Sequence, residues 1–321
     1  MKKVLILTTG GTIMMSYDHE SGVIPSKSGA ELIASVPQVS EYAHVDICEF
    51  MNIPSPHITP EKMFDLAKEV DRQIKYYDGI IITHGTDTLE ETAYMLDLVC
   101  SSSKPIVFTA AMRSNDDIGV DGPRNLLSSV RTVCSPSAIG KGVMVVLNDT
   151  IFGAREVTKT CTNNVAAFES PQYGHLGVVD EDRIVFYRES TVRDRIITDS
   201  IDSRVELIKM TAGSDSKFFH TCIDAGMKGI VVEALGRGNI PPSAIEGVKK
   251  ALDAKLIIIM VSRTYNGRVL DVYGYEGGGK KLKEMGVIMG GDLRGPKARI
   301  KLMVLLGKNA SREEIISTFD D

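Results

Sequence analysis

Ile80-Ile81-Ile82-Thr83-His84-Gly85-Thr86-Asp87-Thr88 is the stretch from which the fold is read. Three β-branched apolar residues in a row predict a strand buried on both faces, as in a parallel sheet. Leu89-Glu90-Glu91-Thr92-Ala93-Tyr94-Met95-Leu96 predicts the helix that follows. The polar residues between them stand at the carboxyl end of a strand, where open α/β sheets hold ligands. Three hydroxyls and a carboxylate within six residues exceed what a plain turn needs. A second junction of this kind opens the chain, where Val4-Leu5-Ile6-Leu7 runs into Thr8-Thr9-Gly10-Gly11-Thr12. Turn chemistry accounts for either alone, since Thr and Gly favour turns. Together they describe one cleft lined from two strand ends.

Working outward, Ala43 to Phe50 alternates as a strand and leads into a third polar turn, Asn52-Ile53-Pro54-Ser55-Pro56-His57. Thr59-Pro60 starts a helix, with Thr as cap and Pro at the first position. Lys104 to Thr109 and Gly142 to Leu147 predict further buried strands, with a helix from Asp121 to Cys134 between them. Strands alternating with helices at this spacing mean βαβ units and a parallel sheet. Two stretches break the rhythm. Met14 to Ser28 has no periodicity and reads as a long loop, the place for a lid just after Thr12. Thr150 to Phe168, with Lys159 among small polar residues, reads as an extended arm or hairpin. Charge rises and apolar density falls from Arg188 to Arg204, after which the βα rhythm resumes. The expected architecture is α/β in two domains: a larger N-terminal parallel-sheet domain at 1–187, a linker at 188–204, and a smaller C-terminal α/β domain at 205–321.

The 321 residues are 43% hydrophobic and 25% charged, the profile of a globular protein with a sizeable core. A net charge of −5 leaves no electrostatic footprint for nucleic acid or an anionic membrane. No apolar run is long enough to span a bilayer. The run after Met1-Lys2-Lys3 is too short for a secretory leader, so it is read as the first strand, which implies a cytoplasmic protein. Five scattered cysteines (Cys48, Cys100, Cys134, Cys161 and Cys222) form no CxxC pair and imply reduced thiols without structural zinc. No His, Cys or carboxylate cluster has metal-ligand spacing, and the glycine turns match neither phosphate-binding fingerprint.

A Thr hydroxyl needs a base before it can attack. His84, inside the strand-end turn, is one candidate; His19 and His57 sit in loops and pair with no fixed Asp. Lys159 is the other candidate, by analogy with hydroxyl–amine pairs in which burial or a neighbouring cation activates the amine. A surface Lys on a hairpin is the plain structural account of the same residue. Asp87 either holds that Lys, grips a substrate ammonium, or stabilises a helix N-terminus by about 0.3–1 kcal/mol.

These residues resemble the bacterial-type L-asparaginase family. Thr9-Gly10-Gly11-Thr12-Ile13 is similar to its first signature and Ile82-Thr83-His84-Gly85-Thr86-Asp87-Thr88 to its second. Asp121-Gly122-Pro123, Ala154-Arg155-Glu156-Val157-Thr158-Lys159-Thr160, Arg263-Thr264 and Pro296-Lys297-Ala298-Arg299 extend the likeness over nearly the whole chain. The resemblance implies hydrolysis of L-asparagine to L-aspartate and ammonia, with lesser action on glutamine and no cofactor. It implies Thr12 as nucleophile and Thr86 with Lys159 as a second hydroxyl–amine pair. Asp87 would hold the α-amino group and Ser55 the α-carboxylate, with Gly11 and Thr86 completing the substrate set. It also implies a homotetramer, a dimer of dimers, with sites at subunit interfaces and Asn239 reaching into the neighbour's site.

Three positions depart from the family pattern. The activating loop Tyr is replaced by Val23, leaving Tyr17 as the candidate substitute. Pro56 stands where Gln is common after the substrate-binding Ser. The trans-acting Glu has its nearest counterpart in Glu276, with Tyr273 and Tyr275 as alternatives. Two other functions fit the same residues: a non-catalytic aspartate or asparagine sensor, and the glutaminase-like subunit of a tRNA-dependent amidotransferase. The latter carries a further domain ahead of the first signature, which here begins at residue 9.

Overall fold

The computed structural model describes residues 1–18, 22–25, 28–190 and 193–320, with the backbone alone at 17, 18 and 22–25. The chain forms two compact units, Met1–Arg195 and Ile196–Asp321. In the first, in chain order, lie β1 (Lys2–Thr8), β2 (Met15–Asp18), β3 (Gly22–Pro25), α1 (Gly29–Ala34), β4 (Ala43–Glu49) and α2 (Pro60–Gln73). Then come β5 (Gly79–Thr83), α3 (Leu89–Val99), β6 (Ile106–Thr109), α4 (Gly122–Cys134) and β7 (Val143–Leu147). The unit ends with β8 (Thr150–Gly153), β9 (Thr158–Lys159), β10 (Phe168–Glu169), β11 (Gly177–Val179) and β12 (Ile184–Phe186).

Eight of these strands form one sheet in the order β12-β11-β8-β7-β6-β5-β1-β4. From β4 to β7 every pairing is parallel. Leu5 lies opposite Ile80 and Leu7 opposite Ile82. Successive side chains point to opposite faces. Leu5, Leu7, Ile80, Ile82 and Phe108 therefore enter one apolar layer with Leu66, Val70, Ala93 and Leu96 from α2 and α3. Val4, Ile6, Ile81 and Val107 enter the other with Leu32, Leu126 and Val130 from α1 and α4. Two covered faces explain why these strands read as unbroken apolar runs.

Numbered among themselves, the five parallel strands run 2-1-3-4-5, so the winding direction reverses between β1 and β5. The crevice beyond the carboxyl ends of those two strands is the ligand position in such sheets. Both polar junctions of the sequence sit there.

The sheet differs from a purely parallel one at one edge, where β8, β11 and β12 add antiparallel. Asn148 and Asp149, both at positive φ, turn the chain back sharply enough for β8 to pair with β7. Met14 to Ser28 is also not all loop. Met15 pairs with Pro25 and Tyr17 with Val23 in the β2–β3 hairpin. Its four-residue strands carry Gly, Asp and Pro and no alternation, so no period announced them.

The second unit holds β13 (Val205–Lys209), α5 (Lys217–Asp224), β14 (Gly229–Ala234), α6 (Ile245–Asp253) and β15 (Ile257–Ser262). It closes with α7 (Gly279–Met285), β16 (Ile288–Met289), α8 (Gly295–Gly307) and α9 (Arg312–Phe319). Its four strands are parallel and in chain order. Phe219 and Val248 of α5 and α6 share a core with Ile230, Val232, Ile258 and Met260. Among the described residues no helix is long and apolar enough to cross a membrane.

Candidate active site

The first two turns are fastened to each other at the ends of β1 and β5. The Thr9 amide and its hydroxyl both donate to the Thr83 carbonyl, at 3.1 and 2.8 Å. Gly11, at φ +85°, lies so close to the second turn that a Cβ there would stand 2.4 Å from the Gly85 nitrogen. A Cβ on Gly85 would in turn stand 2.6 Å from the Ser55 hydroxyl. The glycines thus let the turns carrying Thr12, Thr86 and Ser55 converge at backbone distance. Thr12 is half-buried and heads a single 3-10 turn, Thr12–Met14. Asn115 steadies that turn by donating its side-chain amide to the Ile13 and Met15 carbonyls, at 3.2 and 2.8 Å.

Ser55 is buried beside the second turn. Its hydroxyl accepts from the Asp87 amide at 3.2 Å, and its carbonyl accepts from the Thr88 hydroxyl at 2.9 Å. Lys159 arrives from a different quarter, on the short β9–β10 hairpin where it pairs with Phe168. Its ammonium donates to the Thr86 hydroxyl at 2.9 Å and to an Asp87 carboxylate oxygen at 2.7 Å. The Lys159 side chain is 18% exposed and that of Asp87 58%, so the amine is largely shielded while the carboxylate faces water. Exposure keeps the ion pair's contribution to stability small, about 0–1 kcal/mol. The arrangement is better suited to chemistry: a buried hydroxyl touching an amine, and an open carboxylate with room for an incoming cation.

His84 is not placed to serve as base. It is fully buried, with its Nδ1 2.7 Å from the Gly85 carbonyl and its ring edge-on to Phe108. Nε2 has no partner among the described residues, and burial pushes the pKa down to about 4. An imidazole sealed from the cleft cannot reach a proton on a substrate or on Thr12, so its role is to shape the turn. His57 is exposed, its amide donating to the Pro54 carbonyl and its carbonyl accepting from Lys62. His19 lies outside the described residues, as do the side chains of Tyr17 and Val23.

Asn239 and Glu276 belong to the second unit. Asn239 closes the turn after β14 through paired backbone bonds with Leu235, and its side-chain oxygen is buried without a partner among the described residues. Glu276 is exposed, next to the paired rings of Tyr273 and Tyr275. Two supports were missed in the sequence. One is Asn115. The other is Asp121, whose carboxylate accepts from the Met112 and Arg113 amides and so shapes the turn after β6. The Asp121-Gly122-Pro123 run was the available signal for the second; nothing marked the first.

Two family models cover the chain, one described as "Asparaginase, N-terminal" over residues 3–192 and one as "Glutaminase/Asparaginase C-terminal domain" over 204–319. The chain belongs to the asparaginase family. Within the asparaginases, it is 38% identical over 309 residues to an L-asparaginase of Bacillus licheniformis, with 95% of each chain covered. It is 30% identical to a glutamyl-tRNA(Gln) amidotransferase component of Methanococcus maripaludis, over 98% of this chain and 78% of that one. The crystal structure of a probable cytoplasmic L-asparaginase from Campylobacter jejuni matches it with a TM-score of 0.90 at 33% identity, each chain fully covered.

Proposed function

We propose that this asparaginase-family chain is an amidohydrolase that converts L-asparagine to L-aspartate and ammonia through a Thr12 ester. The observation that carries the reading is the Lys159 amine bridging the Thr86 hydroxyl and the Asp87 carboxylate, beside the turn that bears Thr12. In the first half-reaction the Thr12 oxygen attacks the side-chain amide carbon, the carbon–nitrogen bond breaks, and the nitrogen leaves as ammonia with the proton that Thr12 gave up. In the second, Thr86 and the neutral amine form of Lys159 orient a water and take its proton as it attacks the ester; that proton passes to the departing Thr12 oxygen, releasing aspartate and restoring the Thr12 hydroxyl. Asp87 holds the substrate's ammonium, Ser55 and the Gly11 turn face its carboxylate, and no cofactor enters the scheme. Tyr17 is proposed as the group that takes the Thr12 proton.

By the same reading Asn239 and Glu276 serve a neighbouring subunit's site in a homotetramer. The five free thiols and the likeness to a probable cytoplasmic enzyme support a cytoplasmic location. The amidotransferase component is the second reading, favoured by the Methanococcus maripaludis match. Ammonia release from L-asparagine and from L-glutamine, each with Thr12→Ala alongside, tests the proposal. Release from asparagine that disappears in the variant is the expected result. Release from glutamine alone would transfer the reading to the amidotransferase. Aspartate binding without release from either would leave a sensor.

A further inference from the structure

Lys159 has a fixed destination but a short platform, since β9 is only two residues long. What fixes its approach lies just upstream. Gly153 to Val157 forms a tight turn, with the Glu156 and Val157 amides both donating to the Gly153 carbonyl, at 3.1 and 3.0 Å. The Glu156 side chain points inward and is entirely shielded from water. Arg188 meets it as a fork, Nη1 donating to Oε1 at 3.2 Å and Nη2 to Oε2. The same guanidinium donates to the Gly174 and Glu189 carbonyls, and the Ser190 hydroxyl donates to Glu156 Oε1 at 3.3 Å. Lys159 lies three positions after Glu156, a reach of about 10 Å at full extension. Val157 and Thr158 between them are buried, so the leash has no slack.

A buried ion pair is weak support for stability, because desolvation offsets much of the attraction; fixing one arrangement among several is its better use. A forked guanidinium sets both the distance and the plane of the carboxylate. We infer that Glu156 and Arg188 are positioning residues that hold the Lys159 amine on Thr86 and Asp87. This deepens the proposed reaction and rests on that reading of Lys159.

The first unit contains its own control. Arg193 donates to the buried Asp97 carboxylate at 3.1 Å, and Asp97 also accepts from the Val143 amide at 2.8 Å. That pair is of the same kind, but its carboxylate sits on α3 eight residues beyond the helix start at Leu89, about 12 Å along the helix. Its loss should weaken the fold without moving Lys159.

The experiment compares wild type with Arg188→Ala, Arg188→Lys, Glu156→Gln and Arg193→Ala, each assayed well below its own Tm. The readouts are kcat and KM for asparagine, and the ε-methylene signal of 13C-labelled Lys159, assigned with Lys159→Arg. Arg188→Ala should lower kcat about ten- to hundredfold with KM within about twofold, as expected for a displacement near 1 Å at a catalytic group, and shift the Lys159 signal. Arg188→Lys should recover part of both, and Arg193→Ala should lower Tm alone. If Arg188→Ala does not fold, Glu156→Gln and Arg188→Lys carry the same comparison. Wild-type kcat with an unmoved Lys159 signal in the Arg188 and Glu156 variants overturns the inference, as does an equal loss of kcat in Arg193→Ala. A wild-type protein that releases no ammonia refutes the proposed reaction instead, and the Lys159 signal then decides the positioning by itself.

Discussion

Adding one methyl group at Gly11 should separate the two turns on which the proposed reaction depends. The ideal Cβ of Gly11→Ala falls 2.4 Å from the Gly85 nitrogen and 2.5 Å from the His84 carbonyl carbon and oxygen, whereas ordinary contact begins at 3.4 Å. All three neighbours are backbone atoms, so no rotamer change can relieve the clash. The turns must part by about 1 Å, or Gly11 must leave φ +85°, where a side chain is already strained. Strain of this kind costs about 1–3 kcal/mol. For a unit of this size that lowers Tm by about 2–12 °C. A shift near 1 Å between Thr12 and Thr86 should cost about a hundredfold in kcat. Asp87 and Ser55 keep their mutual hydrogen bond, so KM should change far less. The assay is steady-state ammonia release at a temperature where far-UV circular dichroism shows the variant folded. A folded Gly11→Ala protein with wild-type kcat would refute the argument that these two turns form one reacting site.

Three further outcomes are expected. His84 binds its proton only near pH 4 when folded but at about 6.5 when unfolded, so the unfolded state gains the proton first as pH falls. Stability present above pH 6.5 should therefore decline towards pH 4 by about 3 kcal/mol from this residue. Urea melts at pH 7 and pH 4.5 should show the decline, with a flatter slope in His84→Gln. Lys159→Met removes the amine from Thr86 and Asp87 and should lower kcat about a thousandfold with little loss of Tm, measured by ammonia release and calorimetry. Ser55→Ala leaves the Asp87 amide without its acceptor and should raise KM for asparagine about tenfold, read from initial rates at varied asparagine.

The parallel strands were legible because burial on both faces leaves unbroken apolar runs such as Ile80-Ile81-Ile82, which no amphipathic helix shows. Their partners in space were legible in part, since βαβ rhythm fixes handedness and adjacency. The antiparallel edge was not, because Thr150–Gly153 and Gly177–Val179 are too short to display a period. Ser55, Thr86 and Asp87 could be picked out as polar residues at strand ends. Lys159 stood out by its small uncharged neighbours, but its meeting with Thr86 joins positions 73 apart, and spacing alone cannot supply such a contact. His84 could be offered as a base only because a sequence shows its place in the polar turn but not that its ring is turned into the apolar layer against Phe108. Arg188 read as part of a charged stretch between domains, because charge density does not reveal that one guanidinium of the stretch reaches a shielded carboxylate.

The hairpin that delivers Lys159 divides the proposed reacting set along the chain. Thr12, Ser55, Thr86 and Asp87 all precede Gly140, an exposed turn glycine with open space around it, and Lys159 follows it. Cleavage there would leave two halves that meet along the seam where Ile106, Val107 and Phe108 pair with Val143, Met144 and Val145. Neither half would carry a complete reacting set. Turnover would then report reassociation of the halves, and the enzyme would serve as its own split reporter.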